Sequence, residues 1–379
     1  MKSLQHTIYN LYNNSKLVHD IRETKNISVF DIDGTLTGGS KEALHEIRKR
    51  AERNGSVVFS TARTPELTWS SNVYEASLHN GFIRPVPHVP KNELGKRYFK
   101  PLELIEEFDG LLDPDAVISL GTGMWIRTDE GYTEDKSFQA LLSKFPDWRE
   151  SALELLQYID QGDVLKYLAK IENKKMYETR DIDILTLPFR IQLDLPSLEL
   201  KLEIVKRIFT VADSFHVLAD IARNVDMVDE SNPKKDRYTL YLMPYAAPKE
   251  VSLNHLLKNI SHVSEIPLSD ISLLLAGDTL TDFKAGCIGG ADTQGTFILA
   301  GGSRLAELFD GSYPMHFAGV SLEWLWESLR ETEKPGFYIF EKNDKLPRII
   351  VVGDIAYPDT IGPETILEYM KEHSFGDFE

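Results

Sequence analysis

The sequence holds a single cysteine, Cys287, which excludes an internal disulfide framework and any all-cysteine zinc site. Its ten histidines show no ligand spacing, so a histidine-based metal centre is not expected either. Long apolar runs are missing: none approaches the roughly 18 residues that span a bilayer. The stretch Met1–Lys25 is polar and mixed in charge, without the apolar core of a secretory signal. These absences together point to the cytoplasm and away from a membrane. Positive charge is also scarce, with 42 lysines and arginines against 59 aspartates and glutamates, a formal charge of −17. That balance argues against nucleic acid, whose phosphates need a basic surface. It also means that a phosphorylated substrate has to be drawn in by a local cation or metal, not by the overall field.

What is present is an ordinary globular composition, 42% hydrophobic and 27% charged. At 379 residues the chain is long for one core, so two domains or one with a large insertion are expected. Residues 1–25 suggest a helical lead-in through Leu4, Ile8, Leu11, Leu17 and Ile21. Ile27–Phe30 reads as a buried strand that runs into Asp31-Ile32-Asp33-Gly34-Thr35. Ser40 can cap a helix that stops at Asn54-Gly55, and Ser56–Ser60 reads as a second, parallel strand after a right-handed crossover. A third strand, Ala116–Leu120, leads into Gly121-Thr122-Gly123. From 131 to 240 the pattern changes to helices (137–144, 148–159) and alternating strands (189–195, 238–242), as in a separate α+β module. The parallel pattern resumes with a helix over 252–260 and strands over 271–276 and 296–299. The tail offers a helix (322–332), two short strands (336–340, 348–352) and a last helix near 364–372. The expected fold is α/β: a Rossmann-like parallel core made of 1–130 and 241–315, an inserted α+β cap at 131–240, and an extension over 316–379 packed on the core.

Polar loops follow three of these strands: Asp31/Asp33, Ser60/Thr61 and Asp278/Asp282, with Lys249 ahead of the last. In a parallel sheet they converge on one edge, where open α/β sheets place ligands. A phosphoryl-transfer site needs such parts. One carboxylate can attack phosphorus, a second can move the proton, and Mg²⁺ held by carboxylates can neutralise the phosphate. A hydroxyl and a lysine can stabilise the equatorial oxygens.

In order and spacing these motifs resemble the haloacid dehalogenase-like superfamily of phosphohydrolases. Asp31-Ile32-Asp33-Gly34-Thr35 matches its D-x-D-G-T signature, and Thr61-Ala62-Arg63 is similar to its T-G-R element. Lys249 stands for its motif-three lysine and Gly277-Asp278-Thr279-Leu280-Thr281-Asp282 for its acidic G-D-x-x-x-D loop. Within the superfamily the sequence is most similar to the sucrose-phosphatase group. Pro244-Tyr245-Ala246-Ala247-Pro248-Lys249 resembles that group's P-x-G-A-G-K, and Ile118–Gly123 its strand ending in V-G-T-E. The resemblance implies Asp31 as nucleophile, Asp33 as general acid/base, and Thr61 with Lys249 as phosphate binders. It implies Mg²⁺ at Asp31, Asp33 and Asp278, with Asp282 supporting that shell. Gly34, Thr35, Ala62, Arg63, Gly121 and Thr122 would line the substrate. Arg190 sits where the group carries a sugar-contacting lysine. Thr281 stands where asparagine is usual and Gly123 where glutamate is.

The resulting expectation is a Mg²⁺-dependent phosphatase of a sugar phosphate or a similar small phosphorylated metabolite, acting through an aspartyl-phosphate. The motifs do not separate it from a phosphomutase of the same superfamily, nor from a weakly active regulatory homologue that binds sugar phosphate. A signalling receiver module also combines acids, a hydroxyl and a lysine, but an insertion of about a hundred residues is far longer than ordinary α/β connections and fits a cap.

Overall fold

The computed structural model describes residues 2–32, 35–36, 40–62, 114–129, 131–159, 183–187, 189–195, 208, 210–224, 237–299, 316–317, 320–333, 337–344, 346–352, 362–373 and 375. Helices α1 (Lys2–Asn13) and α2 (Lys16–Thr24) lead into β1 (Asn26–Phe30). The lead-in is broken because Ser15 stops the first helix and caps the second, accepting from the Val18 N–H. Helix α3 (Lys41–Asn54) follows, capped by Ser40, whose hydroxyl accepts from the Ala43 N–H, and then comes β2 (Ser56–Thr61). Next are β3 (Ala116–Ser119), β4 (Gly123–Thr128), β5 (Gly131–Glu134), α4 (Lys136–Leu142) and α5 (Trp148–Ile159). Four strands succeed them: β6 (Asp183–Leu187), β7 (Arg190–Leu195), β8 (Leu218–Asn224) and β9 (Arg237–Met243). The α/β pattern returns with α6 (Lys249–Ser264), β10 (Ser272–Gly277), α7 (Leu280–Ala291) and β11 (Gln294–Leu299). The last elements are β12 (His316–Phe317), β13 (Val320–Ser321), α8 (Leu322–Ser328), β14 (Arg330–Glu331), β15 (Phe337–Phe340), β16 (Arg348–Val352) and α9 (Gly362–Glu372). Among the described residues, no helix is long and apolar enough to cross a membrane.

One ten-stranded sheet organises these elements in the order β14-β15-β16-β11-β10-β1-β2-β3-β4-β5. Its middle, from β16 to β3, is parallel throughout, and the hairpins at either end are antiparallel. β1 therefore lies inside the sheet, paired on one side with β10 and on the other with β2. This explains its apolar run: Ile27 and Val29 enter one core, and Phe30 the opposite one. The first core is closed by α1, α2, α6 and α7 through residues such as Leu17, Leu253 and Phe283. The second is closed by α3 and α9 through Ile47, Ile366 and Met370.

Two features differ from the sequence reading. Gly131–Glu134, assigned there to the insertion, pairs as β5 with β4 at the edge of the large sheet, and Phe138 and Leu142 of α4 bury in the first core. Gly131, at φ 113°, makes the tight turn that returns the chain, and the Thr128 hydroxyl closes it on the Gly131 carbonyl. A separate antiparallel sheet, β6-β7-β9-β8, begins only later. Second, the tail is woven into the sheet: β16 pairs parallel with β11, and α9 buries Ile366, Tyr369 and Met370. Each such side chain contributes about 1.5–3 kcal/mol when buried. Three of them approach the whole net stability of a domain, about 5–15 kcal/mol.

A buried polar network ties together the helices over the first core. Tyr12 Oη donates to Asp135 Oδ2 at 2.8 Å, and Ser137 Oγ donates to Asp135 Oδ1 at 2.5 Å. His255 Nε2 lies 3.0 Å from Ser137 Oγ and 3.4 Å from Asp135 Oδ2, and Asn259 reaches both His255 and Tyr12. One ring nitrogen thus meets the serine and the aspartate together, which makes the cluster a tie between α1, α4 and α6, unlike a nucleophilic triad. Burial alone would raise the Asp135 carboxyl, but hydrogen bonds from His255, Ser137 and Tyr12 hold it below the usual carboxylate range.

Ile366→Ala should cost about 2–5 kcal/mol of global stability, seen as a lower urea midpoint of the intact chain. A loss below about 1 kcal/mol would mean that the tail helix closes no core.

Candidate active site

The carboxyl ends of β10, β1, β2 and β3 stand side by side in that order, and each delivers one polar group. Asp31 follows β1 directly, and its N–H still donates to the Ala276 carbonyl of β10 at 3.0 Å. Asp278 follows β10, and Thr61 is the last residue of β2. The turn after β3 carries Gly121 and Thr122. Asp31, Thr61, Asp278, Asp282 and Lys249 are all buried.

Lys249, the first residue of α6, joins the acids. Its Nζ donates to Asp31 Oδ1 at 2.8 Å and to Asp282 Oδ1 at 2.6 Å. Burial by itself would lower this amine, but the Asp282 and Asp31 carboxylates outweigh burial and raise it well above the ordinary lysine range. The side chain is therefore an ammonium at any physiological pH. Asp282 in turn is oriented by the start of α7. Thr279 N donates to Asp282 Oδ2 at 3.2 Å, as does the Thr279 hydroxyl, so the aspartate closes a capping arrangement on its own helix. Gly277 makes room for it, since a Cβ there would overlap the Asp282 side chain. Thr281, at the position where asparagine is usual, hydrogen-bonds to Thr279 Oγ1 at 2.9 Å, and Lys249 still reaches both acids. Thr35 Oγ1 donates to Asp278 Oδ1 at 3.4 Å, which draws the turn after β1 toward the acidic loop.

Asp31, Asp278 and Asp282 each offer a carboxylate oxygen, all within 4.8 Å of one another. Oxygen donors of this kind suit a hard cation. The charge also fits: among the described residues, three carboxylates and one ammonium leave two negative charges in a buried space. Asp282 has both oxygens engaged, one by Lys249 and one by Thr279, so it acts from behind the other two acids.

A second group forms on the β2–β3 side. Arg190, opening β7, is 1% exposed, and its Nη2 donates to the Ala62 carbonyl at 2.9 Å. Gly121 at φ 66° packs directly on Arg190, where a Cβ would collide with the arginine's own Cβ. Thr122 offers its carbonyl to Gln139 Nε2 at 2.9 Å. Strands in a sheet lie about 4.8 Å apart, so the β3 turn stands roughly 10 Å from the β1 end. Thr61, one strand from Asp31, can share a group as small as a phosphate with it, whereas Gly121, Thr122 and Arg190 are a strand further on.

Of the residues singled out in the sequence, Asp31, Thr35, Lys249, Asp278 and Asp282 come together in the first group. Ala62, Gly121 and Arg190 come together in the second, beside Thr61 and Thr122. Asp33, Gly34 and Arg63 lie outside the described residues. Sequence reasoning missed Thr279, although its position three residues before Asp282 is a capping signal. It also missed Gln139 and Tyr241, whose roles depend on long-range contacts.

No family model matches the chain, and no curated protein matches it. Among solved structures it is similar to a trehalose-6-phosphate phosphatase of Aspergillus fumigatus, at 15% identity over 75% of this chain and 87% of that one, with a TM-score of 0.34. A Thermoplasma acidophilum protein aligns at 11% identity over 92% and 98% of the two chains, with a TM-score of 0.38. An N-terminally truncated IMP-nucleotidase of Plasmodium falciparum aligns at 11% identity over 73% and 72%, with a TM-score of 0.34.

Lys249→Met should destabilise the protein by about 3–5 kcal/mol, because it leaves buried carboxylates without their cation. An amine raised on folding contributes stability that is complete below its unfolded value and is lost only as pH rises through the folded one. The loss in the variant should therefore stay constant between about pH 6 and 9 in urea titrations. A loss that fades toward pH 9 would contradict a raised Lys249.

Proposed function

We propose that the protein is a Mg²⁺-dependent phosphatase of the haloacid dehalogenase-like type, hydrolysing a monoester of a sugar or sugar-derived small molecule. The observation that carries this reading is the buried Lys249 ammonium bridging Asp31 and Asp282, with Asp278 beside them at one edge of a parallel sheet. An aspartate at such an edge is a nucleophile that needs no prior deprotonation, and the neighbouring cation lowers the repulsion that an incoming phosphate meets.

Asp31 and Asp278 would hold Mg²⁺, with Asp282 restraining Lys249 from behind. The ion supplies charge neutralisation for the phosphoryl oxygens and an orientation for in-line displacement. In the first step an Asp31 carboxylate oxygen bonds to phosphorus as the phosphorus–oxygen bond to the leaving alcohol breaks. Asp33, two residues on, gives its proton to that leaving oxygen. In the second step water attacks the same phosphorus, its proton passes to the Asp33 carboxylate, and the bond to Asp31 breaks, freeing phosphate. Lys249 and Thr61 stabilise the equatorial oxygens in both steps. The four-stranded sheet would cover the leaving group as a cap, in keeping with Arg190 and Phe189 contacting the β2 and β3 ends. With a net charge of −17, the Lys249 ammonium and the bound cation would be what admits an anion.

Purified protein with Mg²⁺ should release phosphate from at least one member of a panel of hexose, disaccharide and glycerate phosphates. Asp31→Asn should reduce turnover by at least on the order of 10³-fold, and EDTA should abolish turnover reversibly. Folded protein that releases no phosphate from any ester, or an Asp31→Asn variant of undiminished activity, would overturn the assignment.

A further inference from the structure

The Phe189–Arg190 dipeptide enters the small sheet at the place where two strands of the large sheet end. Phe189 N donates to the Gly121 carbonyl at 3.0 Å. Arg190 Nη2 donates to the carbonyl of Ala62, the residue after Thr61, at 2.9 Å. The guanidinium carbon sits 5.1 Å from the centroid of the Tyr241 ring on β9, a cation–π distance. Gly121 lies flat against the Arg190 Cβ, and Leu120 N donates to the Thr61 carbonyl at 2.9 Å. The β2 and β3 ends are thus bonded to each other and to one dipeptide of the other sheet.

The sequence resemblance puts Arg190 where a residue would contact the substrate's leaving group. Its surroundings indicate another use. At 1% exposure, with the Tyr241 ring against it, the Ala62 carbonyl at Nη2 and the Gly121 turn on its Cβ, the side chain is buried and held by the chain's own groups. We infer that Arg190 is a positioning residue: it holds the Ala62 carbonyl so that the Thr61 strand end keeps one orientation toward the reacting phosphate, and it does so for every substrate alike. The inference rests on the phosphatase reading for what Thr61 does, but the clamp itself does not depend on turnover. A planar guanidinium suits this task, because it can stack on a ring and donate in its own plane at once, which an ammonium cannot.

The test compares the wild type with Arg190→Gln, Arg190→Lys and Tyr241→Leu, each as the full chain with Mg²⁺, in two measurements. In the first, kcat and KM are measured with p-nitrophenyl phosphate and with the best sugar phosphate of the panel. Arg190→Gln should lower kcat by about 10- to 100-fold, the scale of a misplaced catalytic group. The factor should agree within about twofold between the two esters, with KM little changed. Arg190→Lys should recover only part of the loss, and Tyr241→Leu should move in the same direction by less. In the second, amide hydrogen exchange should quicken over 58–62 and 119–121 in Arg190→Gln and stay unchanged over 272–277. A loss confined to KM for the sugar phosphate, with p-nitrophenyl phosphate unaffected, would make Arg190 a leaving-group contact and overturn the inference. Unchanged exchange at 58–62 would overturn it as well. If the wild type hydrolyses no ester, the phosphatase reading fails, while the exchange measurement still decides the clamp. If Arg190→Gln does not fold, the exchange and kcat of Tyr241→Leu decide in its place.

Discussion

Three carboxylates with oxygens within 4.8 Å of one another in a buried space repel strongly, and the Lys249 ammonium between two of them offsets much of that repulsion. At an effective dielectric of about 20, each pair at that separation costs about 3–4 kcal/mol. The three pairs together would approach the entire net stability of a domain, about 5–15 kcal/mol. Much of the architecture can be understood as serving this one contact. α6 has to start beside the β1 end, and the network of Tyr12, Asp135, Ser137 and His255 ties that helix to α1 and α4. Asp282 has to face the lysine, so Thr279 holds its other oxygen and residue 277 is a glycine.

The sheet then sets distances by its spacing alone. Four neighbouring parallel strands deliver Asp278, Asp31, Thr61 and Gly121 in steps of about 4.8 Å. The acids and their lysine fall at the near end of this row, and the small sheet is fastened at the far end through Phe189 and Arg190. A division of labour follows from that geometry. The near end gathers the charged groups, while the far end joins the strand ends to the small sheet.

Much of this was legible in the chain. Ile27–Phe30 reads as an inner strand because burial on both faces demands a continuous apolar run, and Ser40 marks a helix start because its hydroxyl satisfies an otherwise orphaned N–H. Trp148–Ile159 reads as a helix from its periodicity. The β4–β5 hairpin was not legible. Its residues pass from Met124-Trp125-Ile126 to charged and polar ones without the alternation of a one-sided strand, and only the pairing along β3 gives them a place. Arg190 was legible as a candidate but not in its surroundings, since Ala62, Gly121 and Tyr241 are distant in sequence.

By itself the sequence determined which polar residues stand at the ends of its elements: acids after two apolar runs, a hydroxyl after a third, and a lysine heading a helix. It could do so because turn chemistry and strand periodicity are local properties of a few consecutive residues. Only the tertiary structure decided that one ammonium lies between Asp31 and Asp282, that the tail completes the sheet, and that an arginine of the small sheet ends on the Ala62 carbonyl. Those arrangements are contacts between segments separated by tens to hundreds of residues, and their energies exist only once the sheet has brought the segments together.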